Sequence, residues 1–169
     1  MGTRLLSEYL IKKRYPHLRY VRIHTSGNNK ATIYVWNDDL QLPAMEIVNL
    51  KRFAAGYLLP HVCYQVKSYE MIQADGVPPT PELPEPVIEA AMSRELNQFR
   101  IVGVINEMFP KGNITFNRFD LITGIIHFEL HSALPVTEAE KEWIGQYLYE
   151  MIPLGAHCEV TYFEGVEPQ

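Results

Sequence analysis

The residues best suited to chemistry in this chain lie near its C-terminal end. His127-x-Glu129-x-His131 sets two imidazoles and a carboxylate at every second position, and His157-x-Glu159 repeats the alternation downstream. Alternate side chains of a β-strand share one face, so both runs would meet on a common surface if their strands are neighbours. Imidazole nitrogens and carboxylate oxygens are ligands for divalent cations. A neutral imidazole beside a carboxylate is also held in one tautomer with its pKa raised, which suits a general base. His127, Glu129, His131, His157 and Glu159 therefore form a candidate metal or acid–base site, and a divalent metal is the one cofactor the sequence suggests. A hydrated sheet face or a histidine-bearing interface accounts for the same pattern. No nucleophile is paired with the set: Ser132 adjoins His131, but neighbours on a strand point apart. His17, His24 and His61 are isolated, and the chain carries no nucleophile elbow, phosphate-binding glycine loop, zinc-knuckle spacing or dinucleotide fingerprint.

A second group interleaves rings with cations. Tyr20, Arg22, His24, Tyr34, Trp36, Lys67 and Tyr69 fall on one parity of three β-like segments and form a candidate ligand-binding or interface surface. Single-stranded nucleic acids use such faces, because bases stack on rings while cations neutralise phosphates. The chain has neither an RNP-like aromatic motif nor a GXXG loop, and its formal net charge is -5, which ranks burial of the aromatics against another sheet or subunit ahead of nucleic acid.

The elements that must position these residues follow from periodicity. Thr3 to Arg14 has helical spacing, and Pro16 ends it. Leu18 to Thr25 and Ala31 to Trp36 alternate around Ser26-Gly27-Asn28-Asn29, a hairpin turn. A helix over Ala44 to Leu58 and a strand over Val62 to Ile72 complete an αββαβ order. Residues 75–86 hold five prolines and read as a semi-rigid linker. Beyond it the spacing predicts one long helix over Val87 to Met108, a hairpin of Asn113 to Phe119 and Ile125 to Leu130, a helix over Glu138 to Met151 with a Thr137/Glu140 capping box, and a strand over Cys158 to Phe163.

The second half thus repeats the first. Tyr15-Pro16, Leu42-Pro43 and Tyr69-Glu70 recur as Phe109-Pro110, Leu134-Pro135 and Phe163-Glu164, at offsets of 94, 92 and 94 residues. The expected class is α+β: tandem αββαβ modules at 1–74 and 87–169, joined by the 75–86 linker. Each is a ferredoxin-like unit lacking its first strand, with an antiparallel or mixed sheet and helices on one face only. The order is similar to that of the cytoplasmic domains of cation-efflux transporters and the ring-building modules of secretion and sporulation assemblies, a likeness of topology, which does not carry function.

In the first module Val21, Ile23, Ile33, Val35, Val62 and Val66 should face the helices. In the second, Ile126, Phe128, Leu130, Val160 and Tyr162 should do so. Cys63 and Cys158 fall at matching places and read as reduced core thiols in a cytoplasmic protein. Charge divides sharply: residues 1–74 carry ten Lys/Arg against five Asp/Glu, and residues 75–169 carry five against fifteen. Opposite halves suit docking on each other, or a basic face for an anionic ligand. The function this supports is a non-enzymatic ligand- or protein-binding or assembly module. Its partners would be itself, as an intramolecular pseudo-dimer or homo-oligomer, or another protein, with no membrane engaged. The alternatives are an enzyme using the histidine face and a single-strand nucleic-acid binder using the aromatic face.

Overall fold

A computed structural model of the chain describes residues 2–59 and 61–165. The first module runs α1 (Arg4–Arg14), β1 (Leu18–Gly27), β2 (Lys30–Asn37), α2 (Ala44–Tyr57), β3 (Cys63–Ser68) and α3 (Met71–Ala74). The second runs α4 (Glu85–Met92), α5 (Gln98–Met108), β4 (Gly112–Asp120), β5 (Ile125–Ser132), α6 (Glu138–Met151) and β6 (His157–Glu164). Each module builds a three-stranded mixed sheet with its second strand in the middle. That strand pairs antiparallel with the first and parallel with the third, so the class is the expected duplicated αββαβ arrangement. The chain forms two compact units, Gly2–Thr80 with Pro153–Gly155, and Pro81–Ile152 with residues 156–165. Among the described residues no helix is long and apolar enough to cross a membrane.

Strand alternation sorts the side chains as hydrophobic burial requires. Val21, Ile23, Ile33, Val35, Val62 and Val66 join Leu50 and Ala54 of α2 in the first core. Ile126, Phe128 and Leu130 join Ile105, Ile144 and Leu148 in the second, with Val160 and Tyr162 partly buried against it. The Thr137 hydroxyl accepts the Glu140 amide and the Glu140 carboxylate accepts the Thr137 amide, so the capping box forms.

Three elements differ from the periodic reading. The long helix breaks into α4 and α5, because Ser93 Oγ accepts the Glu95 amide at 3.3 Å and Asn97 Oδ1 accepts the Arg100 amide at 3.0 Å. Such side-chain bonds offer the backbone an alternative to the helical ladder, and Asn97 becomes the N-cap of α5. The linker ends earlier than expected, since Pro84 caps α4 and Pro86 lies in its first turn, where a missing amide costs nothing. The third strand stops at Ser68 instead of Ile72, and the chain turns into α3.

Edge strands expose unpaired backbone groups, and each module answers with a polar side chain from the preceding helix. Glu8 Oε1 accepts the Ile23 amide of β1 at 2.9 Å. Asn106 grips β4 twice, accepting from the Ile114 amide at 2.7 Å and donating to its carbonyl at 3.2 Å. Replacing Asn106 by Leu should therefore cost about 1 to 3 kcal/mol, the range for stranding buried backbone groups. Phe128→Ala, which empties the core, should cost about 3 to 5 kcal/mol. Urea unfolding midpoints check both, and an unchanged midpoint for Asn106→Leu would remove the edge clamp from this account.

Candidate functional site

The aromatic and basic residues of the first module lie on one sheet face, as parity requires, but much of that face is closed by the chain itself. The segment following β3 turns back over it. Tyr34, only 2% exposed, donates from its hydroxyl to Asp75 Oδ2 at 2.7 Å, and Lys67 Nζ meets the same oxygen at 2.8 Å. Arg22 donates to the Pro78 carbonyl. The two cations central to the face are thus bonded to the linker. Tyr20, Trp36 and Tyr69 form a half-buried cluster beside them, with Trp36 packed on Tyr69 at 5.3 Å and edge-on to Tyr20 at 6.0 Å. The Trp36 indole donates to Ser68 Oγ at 2.8 Å, so its neighbours belong to its own module. His24 is half-buried, and burial first, then the charges of Arg22 and Arg4, push its pKa below the ordinary value. Burial and the bond to Asp75 push the Tyr34 pKa up to about 12.

On the second sheet the register sets the distances that matter. His127 lies opposite Glu159, His131 opposite Phe163, and His157 opposite Ile125. The three imidazoles therefore occupy separate rungs. His127 Nδ1 is 3.7 Å from Glu159 Oε2, and His131 Nε2 is 3.7 Å from Glu129 Oε2. The His131 ring stacks on Phe163 at 4.7 Å, while Glu129 accepts from Asn117 at 3.1 Å. Among the described residues no three His, Cys, Asp or Glu side chains are grouped to hold a metal ion. The face is a ladder of pairs, open to water.

The cysteines occupy the third strand of each module but not the same rung. Cys63 pairs with the first residue of β2 and Cys158 with the second residue of β5. One residue of shift reverses a side chain's face, so Cys63 is exposed while Cys158 packs against the core; both are free thiols. Only Cys158 fits the expectation of a core thiol, and burial pushes its pKa up to about 11.

A third feature of the molecule carries no reactive group. At the β4–β5 turn Leu121 is 83% exposed and Ile122 is 95% exposed. The turn is nevertheless built. Asp120 Oδ1 accepts the Ile122 amide at 2.9 Å and the Thr123 amide at 3.3 Å, which holds its carboxyl below the usual range. The Gly124 amide reaches the Asp120 carbonyl at 2.8 Å, and Gly124 adopts φ 70, where a side chain would be strained. The sequence signal was two branched apolar residues where turn-forming residues are the rule. At the other end of β4, Met108, Phe109, Pro110, Ala139 and Trp143 line an open groove of about 500 Å³.

No protein-family model matches the chain. No curated protein matches it either. Among solved structures it is similar to the periplasmic domain of the T3SS inner membrane protein PrgH from S. typhimurium, with 12% identity, 94% of this chain and 68% of that chain covered, and a TM-score of 0.30. At that score the likeness carries no functional argument.

The Asp75 tie generates a pH expectation. Its carboxyl is held below the ordinary 3.8 by hydrogen bonds from Lys67 and then Tyr34. A depressed carboxyl stabilises the fold above its unfolded-state pKa and loses that contribution as pH falls through the folded-state value. Amides of residues 70–77 should keep their protection from hydrogen exchange down to about pH 4 and lose it below. Asp75→Asn should show the loss already at neutral pH. Equal protection in the variant at pH 7 would mean that something else holds the segment down.

Proposed function

We propose that the protein is a non-enzymatic assembly module that docks on another protein chain through its β4–β5 turn. One observation carries the reading: two large apolar side chains stand in water on a backbone locked from within. Burying each against a partner contributes about 1.5 to 3 kcal/mol, and a preordered turn loses little conformational entropy on binding.

The duplication supplies an internal comparison. The first module's hairpin turns through Ser26, Gly27, Asn28 and Asn29, all polar or glycine. The Asn29 amide of that turn donates to the Gly155 carbonyl at 3.0 Å. Of two hairpins with the same topology, one turn is polar and bonded to its own unit, and the other is apolar and exposed. The self-covered aromatic face supports the same reading, since Arg22 and Lys67 hold the linker where a phosphate backbone would need them. The exposed free thiol of Cys63 fits the reducing conditions of a cytoplasmic location.

Site-specific photocrosslinking in cells that express the chain tests the reading. A photoreactive residue at Leu121 should give discrete protein adducts, and one at Asn28 should give none. Absence of adducts at Leu121, or the same adducts from both positions, would count against a docking turn.

A further inference from the structure

We propose that the partner of the β4–β5 turn is a second copy of this chain, whose groove between α5 and α6 receives Leu121 and Ile122, so that copies join head to tail. This deepens the docking reading above and rests on it.

The groove is apolar and braced. Phe109 and Trp143 face each other at 6.1 Å, and Tyr147 backs Trp143 at 4.8 Å. Pro110 and Ala139 are exposed at its mouth. An open groove of about 500 Å³ has room for two branched aliphatic side chains. Turn and groove lie at opposite ends of β4: Lys111 precedes its first residue and Leu121 follows its last. Nine extended residues span about 30 Å, so a module cannot fill its own groove with its own turn. A knob and a hole at opposite ends of one rigid body make a heterologous contact, which propagates into a ring or a filament.

The charges beside the two surfaces complement each other. Lys111 and Glu140 stand paired at 3.0 Å on the groove rim. Arg118 and Asp120 flank the knob. Rim and knob thus each carry one charge of each sign, so the incoming turn brings no unmatched charge to the groove. The equivalent groove of the first module is built differently: Asn49, Arg14 and Arg52 join Tyr15, Phe53 and Tyr57 around about 340 Å³. Asn49 stands where the 94-residue offset places Trp143. Polar and cationic groups there would have to be desolvated to admit an apolar knob, which selects the second module's groove.

Sedimentation velocity of the full chain tests this with two variants at exposed positions. Leu121→Ser with Ile122→Ser removes the knob, and Ala139→Glu blocks the hole; an unchanged unfolding midpoint verifies each fold. Wild type should form concentration-dependent species heavier than the 19.5 kDa monomer. Each variant alone should stay at 19.5 kDa. An equimolar mixture should form a pair of twice 19.5 kDa and nothing larger, because it contains one intact knob and one intact hole. Assembly by either variant alone, or failure of the mixture to pair, overturns the proposal. Wild type that stays monomeric at every concentration overturns it too. In that case, Leu121 adducts to a different protein leave the docking reading standing, and their absence removes both. A monomer that sediments with phosphatidylcholine–phosphatidylglycerol vesicles through Leu121 and Ile122 replaces both with a membrane contact.

Discussion

Two helices can cover one face of a three-stranded sheet, and the other face has to be accounted for separately. That constraint organises both halves of this chain. The parallel pairing of the second and third strands requires a crossover, which α2 and α6 supply, and a crossover keeps its helix on the side where it packs. The inner residues of the middle strands, Ile33 and Val35 in one module and Phe128 and Leu130 in the other, are accordingly buried. The outer residues are left to whatever else the sequence provides.

The modules resolve the problem in different ways. The first keeps aromatic rings on its outer face and lays its own downstream segment over them, fixed by Asp75 to Tyr34 and Lys67. The second lines its outer face mainly with polar groups, pairing His127 with Glu159 and Glu129 with Asn117. Its hairpin tip stands in water. Similar topology thus gives a self-covered face in one module and an exposed apolar turn in the other.

Much of this was legible in the residues. The αββαβ order, the sheet parity and the Thr137/Glu140 cap follow from periodicity and short-range spacing, because they depend on neighbours in sequence. The break at Ser93 to Asn97 was equally local, yet apolar periodicity running through both helices masked two capping side chains. Register was not legible: His157 falls opposite Ile125 and not a histidine, and only the strand pairing decides that. The return of Asp75 onto Tyr34 depends on where β3 stops, which the alternation of residues 69–72 concealed. The exposed turn could have been found by asking which turn residues violate turn chemistry, a question about rule-breaking and not about reactive groups.

The central claim is that the second module's turn is the surface this protein uses. A dilution series followed by methyl NMR measures it directly, with the Leu121 and Ile122 methyls compared with those of Ile23 and Ile33 in the first core. The account predicts that the turn methyls shift with concentration while the core methyls stay fixed. Turn methyls that remain invariant while signals elsewhere on the surface move would contradict it.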